Sequence, residues 1–179
     1  MSGDHKMENI IKAIESSLEG KNYYGALFVA LSAPDICGYL ESPTERSQVR
    51  YEKWFERYML DKYRLPVGPS HTLHVFLSPS DCYALRCALL HEGREEIIEQ
   101  RARESLERFH FIEPPQLGTI HCNQFNNVLQ LQVDIFCQDI ISALHAWLKD
   151  TKENTDIQRR RNGVLKVYPS NQVPGMRIG

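Results

Sequence analysis

The chain has 179 residues, of which 42% are apolar and 25% are charged, and its formal net charge is −2. This length fits one domain with a real hydrophobic core, and the charge balance excludes binding of nucleic acid through a globally basic surface. No run approaches the roughly 18 apolar residues of a membrane span, the first residues contain no apolar signal region, and the five cysteines favour reduced thiols. We therefore expect a soluble cytoplasmic protein without membrane contact.

The first half of the chain shows helical spacing of apolar residues in three segments. The first is Met7–Leu18. The second follows Asn22 and is apolar on nearly all sides, and Pro34 is expected to kink or restart it. The third runs over 48–63 as a broad aromatic and aliphatic stripe. Residues 64–77 contain prolines and a glycine, which predicts a loop with a short extended finish.

The clearest helix covers 78–93, because both of its ends carry strong signals. In chain order these signals are an N-cap, a first-turn proline, a capping-box acid and a terminal glycine: Ser78, Pro79, Asp81 and Gly93. Between them the residues are apolar or small apart from Arg86, His91 and Glu92. An arginine in such surroundings is costly unless a carboxylate, a phosphate or a partner subunit compensates its charge.

The second half of the chain mixes short extended segments with one long helix. The charged residues 93–106 predict a solvated helix, and residues 107–124 predict a small β-hairpin. Residues 127–149 predict a long helix, although 128–133 also alternate like a strand. Residues 151–179 predict a polar and basic C-terminal tail.

Together these elements predict an all-α fold. We expect a four- to five-helix bundle over residues 1–150, with the small β-hairpin inserted before the last helix. The sequence contains neither an internal repeat nor a low-complexity tract.

Arg86 and His91 enclose four residues and so form an Arg-x4-His motif on the capped helix. Two other Arg and His pairs have similar spacing, but the first spans prolines and the second runs from a charged segment into a predicted strand: Arg64 with His71, and Arg103 with His110. With its helical surroundings, the Arg86 motif resembles that of the HEPN superfamily (higher eukaryotes and prokaryotes nucleotide-binding), whose members are small helical bundles and often metal-independent RNases.

The resemblance implies a metal-independent endoribonuclease with Arg86 and His91 as the catalytic pair, without a cofactor. It also implies a homodimer with a composite site, in a toxin-like or phage-defence protein that an antitoxin or regulatory protein controls. Family nucleases usually carry a polar residue after the arginine, and this chain has Cys87. That departure favours the alternative, a non-catalytic interaction or nucleotide-sensing module in which both residues are structural.

The chemistry expected of the pair is specific. RNA carries its own nucleophile, the 2′-OH, so a histidine can move the proton while a guanidinium stabilises the phosphate, without a metal. The products would be a 2′,3′-cyclic phosphate and a 5′-OH. Possible helpers are Asp81, Tyr83 and Glu92. Five positions along an ideal helix leave two side chains about 140° apart, so an undistorted helix does not aim Arg86 and His91 at one phosphate.

Three further sets of residues have a functional and a structural interpretation. If Arg86 is structural, its candidate counter-ions are Asp35, Glu41, Asp81 and Glu92. A short basic run is a possible RNA contact or a solvated stretch of tail: Arg159, Arg160 and Arg161. Several histidines and a cysteine are possible zinc ligands, but the required second cysteine or carboxylate is absent, which favours ordinary surface histidines: His71, His74, His110, His121 and Cys122.

Overall fold

A computed structural model describes residues 6–97 and 103–168 and has a mixed α/β architecture, so the all-α prediction is wrong. The helices are α1 Lys6–Glu19, α2 Tyr23–Glu41, α3 Ser47–Tyr58, α4 Pro79–Cys87, α5 Val133–Asp150 and α6 Thr155–Arg161. The strands are β1 Arg64–Val67, β2 Thr72–Val75, β3 Arg108–Ile112, β4 Asn123–Phe125 and β5 Val128–Gln132. None of the helices in these two ranges is long and apolar enough to cross a membrane.

The core lies around α2, which packs against α1, α3 and α5. The side chain of Asn22 caps α2 by accepting a hydrogen bond from the Gly25 N–H at 3.0 Å. The helix continues through Pro34 without interruption, contrary to the expected restart. Pro34 is buried, and its burial against neighbouring helices offsets the lost backbone hydrogen bond.

The strands form two small sheets where the sequence predicted a loop, a hairpin and the start of a helix. Residues 64–77 contain the antiparallel pair β1–β2. The predicted hairpin over 107–124 is wrong, because β3 pairs in parallel with β5 and β4 pairs antiparallel with β5. β5 occupies the alternating segment that was assigned to the long helix. Its residues Leu129 and Leu131 are buried, which is the two-residue period of a strand with one face in the core.

Two polar segments also differ from the prediction. The charged segment is not helical over 93–97 or 103–106, and its middle, 98–102, lies outside the described residues. Instead the Ile97 N–H donates to the Glu107 carbonyl at 2.8 Å, so the chain runs alongside β3. The predicted tail contains α6, which Asn154 caps and which buries Ile157. Residues 169–179 of that tail lie outside the described range.

Asp81 holds the loop before β3 against the start of α4. Its buried carboxylate accepts hydrogen bonds from the backbone N–H groups of Glu104 at 2.7 Å, Ser105 at 3.2 Å and Leu106 at 3.3 Å. It also accepts one from the Ser78 hydroxyl at 3.0 Å. A buried carboxylate requires such a set of donors, because it has lost its hydration shell.

We expect Asp81→Ala to lower the free energy of unfolding by about 3 kcal/mol, because several buried donors lose their acceptor. Urea denaturation followed by circular dichroism measures the change. The matched control is Asp61→Ala, which removes an exposed carboxylate paired with Arg64 and should change stability by less than about 0.5 kcal/mol. A loss below about 1 kcal/mol for Asp81→Ala would contradict the structural role of this carboxylate.

Candidate functional site

The end of α4 departs from α-helical geometry at the motif. Residues Ala88–Glu92 form one π-helical turn, in which the Gly93 N–H bonds to the carbonyls of Ala88 and Leu89. Gly93 then ends the turn in the left-handed conformation at φ 67°, which glycine adopts without strain. A π turn advances fewer degrees per residue than an α turn. A side chain five positions further along the chain therefore lies closer to the starting face of the helix. Such turns are frequent at functional sites.

This turn brings Arg86 and His91 into direct contact. Arg86 Nη1 lies 2.9 Å from His91 Nε2. A guanidinium can only donate, so Nε2 of His91 accepts this hydrogen bond. His91 is exposed to solvent, whereas Arg86 is half-buried behind it.

Asp35 of α2 supplies the counter-ion of Arg86. Asp35 Oδ2 lies 2.5 Å from Arg86 Nε, and the two side chains are only 14% and 17% exposed. The other carboxylate oxygen, Oδ1, accepts a hydrogen bond from the Ser47 hydroxyl of α3 at 2.9 Å. Burial by itself would lower the pKa of Arg86, but Asp35 and Cys87 more than offset this, so its pKa is raised. The arginine is held in place as a permanent cation.

Two more side chains of α4 contact the guanidinium. Tyr83 places its ring centroid 5.9 Å from Arg86 Cζ, a cation–π arrangement. Burial raises the pKa of Tyr83, which keeps its phenol protonated at neutral pH. The half-buried Cys87 lies with its Sγ 3.8 Å from Arg86 Nη1. Of the predicted helpers, Tyr83 therefore adjoins the pair.

The other predicted helpers have contacts of their own. Asp81 uses its carboxylate to hold the loop before β3, and its hydrogen bonds reach neither Arg86 nor His91. Glu92 lies 3.6 Å from Arg94 in an exposed ion pair. Of the counter-ions considered for Arg86, Glu41 instead accepts a hydrogen bond from Trp147.

Two arginines of the basic run are built into the fold. Arg160 donates to the Leu40 carbonyl at 2.6 Å and to the Glu41 carbonyl at 3.4 Å, so it caps the end of α2. Arg161 is buried and lies 3.6 Å from Glu8 of α1. Arg159 is exposed and pairs with Asp156 at 2.9 Å. Of the three, Arg159 is exposed, Arg160 is half-buried and Arg161 is buried, so the run does not form a continuous basic surface.

The histidines considered as zinc ligands occupy separate places. His74 bonds to Gln124 at 3.0 Å, His110 lies 4.0 Å from Glu95, and His121 packs on the ring of Tyr63. Within residues 6–97 and 103–168, no three His, Cys, Asp or Glu side chains converge as a metal-binding group.

No family model, no curated protein and no solved structure matches this chain. The geometry of the site is therefore the evidence for its function.

Sequence reasoning missed Ser47 and left the counter-ion of Arg86 open among four acids. Ser47 opens α3, where a hydroxyl is expected to cap its own helix, but its hydroxyl bonds to Asp35 instead. The signal for Asp35 was its place directly after Pro34 on an otherwise apolar helix, where a charge requires a partner.

A double-mutant cycle tests the ion pair of Asp35 and Arg86. We expect Asp35→Asn and Arg86→Gln to couple by about 1–3 kcal/mol in the free energy of unfolding, because each change alone leaves a largely buried charge unpaired. The control cycle uses Arg57 and Asp150, which lie 3.0 Å apart but are 57% and 41% exposed. That pair should couple by less than about 1 kcal/mol. Equal coupling in the two cycles would contradict the importance of burial at Asp35.

Proposed function

We propose that this protein is a metal-independent endoribonuclease in which Arg86 and His91 act on one RNA phosphate. The observation that carries the proposal is the 2.9 Å contact between Arg86 Nη1 and Nε2 of the exposed His91. A fixed cation and a solvent-accessible general base then lie side by side, which is what transfer of a phosphoryl group to a neighbouring 2′-OH requires. The resemblance of the motif to the HEPN superfamily supports the same function.

In the proposed reaction the phosphate replaces His91 as the acceptor of Arg86 Nη1, which frees the lone pair of His91 Nε2. Nε2 then removes the proton of the 2′-OH, and the 2′-oxygen attacks the adjacent phosphorus. The bond from phosphorus to the 5′-oxygen breaks, and the leaving oxygen takes up the proton from the imidazolium. Arg86 donates to the non-bridging oxygens as their negative charge increases. The products are a 2′,3′-cyclic phosphate and a 5′-OH, and His91 ends in its starting state.

Asp35 acts in this scheme as a positioning residue. It holds Nε of Arg86 and so leaves the Nη1 edge directed at His91 and solvent. A guanidinium that is already immobilised loses little side-chain entropy when a phosphate binds. The neighbouring Tyr83 ring shields one side of the cation from water.

One observation favours the alternative, a non-catalytic interaction or nucleotide-sensing module. Arg86 already has an ion pair with Asp35, a cation–π contact with Tyr83 and a contact with Cys87. These contacts are those expected of an arginine that links α2 to α4 and stabilises the fold. Under this alternative His91 closes the end of the helix and no bond is broken.

We also propose that the active form is a two-fold dimer. Tyr24 and Phe28 lie one turn apart on α2 and are 78% and 41% exposed. Asp35 follows on the same face of that helix. Exposed apolar side chains grouped in this way mark interaction surfaces. A second copy packed there would approach the Asp35–Arg86 site of the first.

We further place the activity in the cytoplasm, where RNA is available and thiols stay reduced. All five cysteines are free, and four of them are buried.

Cleavage of labelled RNA in the presence of EDTA tests the proposed reaction. We expect the wild type to yield 2′,3′-cyclic phosphate ends, and we expect Arg86→Ala and His91→Ala each to lower the rate at least about 100-fold, because each removes a group used in the transition state. Separation of the products by gel electrophoresis, with and without phosphatase treatment, identifies the ends.

Two variants serve as controls for these losses. His145→Ala and Arg57→Ala remove exposed side chains on α5 and α3 and should cleave at the wild-type rate. Wild-type cleavage by Arg86→Ala or His91→Ala would refute the assignment. Absence of all cleavage by folded wild type, combined with unfolding of Arg86→Ala, would favour the structural alternative.

The dimer is tested by sedimentation at micromolar concentration. We expect Phe28→Ser to shift the protein from dimer to monomer and to reduce cleavage, because it removes apolar area from the centre of the contact. Leu117→Ser is the control, since Leu117 is exposed in a loop of a different part of the molecule. A wild type that is a strict monomer with full RNase activity would exclude the dimer.

A further inference from the structure

A cavity of about 470 Å³ opens between α2 and the chain that follows α6. Its volume lies in the range of small-molecule sites. Its walls are mainly apolar with a polar group at two positions, and the side chains that matter are Ile36, Tyr39, Val164, Leu165, Asp35 and Arg160. Neither the catalytic scheme nor the sequence analysis uses this cavity.

The cavity shares a wall with the candidate catalytic site. Asp35 lines the cavity and also lies 2.5 Å from Nε of Arg86. Arg86 in turn touches His91. A ligand with an anionic group on Arg86 therefore lies one side chain, that of Asp35, away from this open cavity.

The chemistry of the walls selects a flat, partly apolar group. Tyr39 is 51% exposed, although the Arg50 guanidinium lies 5.4 Å from its ring centroid, and Leu165 is 88% exposed. The uncovered part of an aromatic ring and an aliphatic side chain therefore face solvent at this cavity. An aromatic side chain that is free on part of its face is a stacking surface for a nucleobase. The guanidinium of Arg160, which is fixed by two carbonyls of α2, adds a charged group to the wall.

We infer that this cavity is a nucleobase subsite, which receives the base of the nucleotide whose phosphate lies at Arg86 and His91. The inference rests on the proposed function for the phosphate, and it adds the recognition of the substrate. A base in this cavity has left its base-paired stack, so the substrate is single-stranded RNA or an unpaired loop. Tyr39 and Leu165 are then binding residues, and they take no part in moving the proton.

Titration calorimetry with guanosine 3′-monophosphate and with inorganic phosphate separates the base subsite from the phosphate site. We expect the wild type to bind the nucleotide at least about tenfold more tightly than inorganic phosphate. Tyr39→Ala should weaken nucleotide binding by roughly 5- to 150-fold, the loss typical of one stacked base. Its affinity for inorganic phosphate should stay at the wild-type value.

Three variants make this result decisive. Tyr39→Phe keeps the ring and should retain the preference for the nucleotide. Phe125→Ala removes an exposed aromatic ring from β4, away from the cavity, and should have no effect. Leu165→Ser changes the opposite wall of the cavity. It should weaken binding of the nucleotide and leave binding of inorganic phosphate unchanged. Unchanged melting temperatures confirm that these exposed substitutions leave the fold intact.

Equal affinity of the wild type for nucleotide and inorganic phosphate would overturn the subsite. So would a Tyr39→Ala variant that loses both ligands to the same extent. If RNA is still cleaved in EDTA in either case, the subsite is wrong while the proposed function stands. If the nucleotide preference depends on Tyr39 but no RNA is cleaved, the subsite stands and the proposed reaction is wrong.

Discussion

The ion pair of Arg86 and Asp35 is the interaction on which the rest of the site depends. A guanidinium on a mostly apolar helix has a large desolvation cost, and only a nearby carboxylate in good position offsets it. Asp35 meets this requirement from α2, and Ser47 of α3 orients the same carboxylate. Three helices that are separate in sequence are thereby fixed relative to one charge. Whatever Arg86 binds, it binds from a position that the core determines.

The π turn after α4 resolves a geometric conflict within the motif. In an ideal helix Arg86 and His91 would point about 140° apart, and Arg86 would be held by Asp35 with no histidine beside it. The wider turn over Ala88–Glu92 and the left-handed Gly93 bring the two side chains to 2.9 Å. Backbone irregularity of this kind lowers the stability of the helix end, so its presence at the motif is a reason to look for function there.

The sequence predicted those parts of the fold that local signals determine. The cap Ser78, the first-turn proline of α4 and the glycine that ends the following turn act within one turn, and the structure confirms them. The apolar residues of β5 continue without a break into α5, so the sequence predicts one long helix over both. Only the pairing of β5 with β3 and β4 determines that it has the two-residue period of a strand and not the period of a helix. The parallel pairing of β3 with β5 joins residues that no short-range pattern connects.

The same division applies to the site. The positions of Arg86 and His91 followed from motif and helix context, whereas the choice of Asp35 among four acids required the packing of α2 on its neighbours. The sequence does not distinguish Arg160 and Arg161 from Arg159. In the structure Arg160 caps α2 and the buried Arg161 pairs with Glu8. Tertiary contacts decide such cases, because a charged residue in a short helix can serve as solvated surface or as a tie between elements.

Under the proposed function, these placements limit how RNA is recognised. The net charge is −2, and two of the three adjacent arginines are used inside the fold. Broad neutralisation of phosphates, which provides most non-specific affinity for nucleic acid, is therefore weak in this molecule. In the proposed reaction Arg86 is the cation at the phosphate, so further affinity would come from contacts with the bases or from a second copy of the chain. The proposed base subsite beside Asp35 and the proposed dimer face of α2 would supply these two contributions, and both adjoin the side chain that holds Arg86 in place.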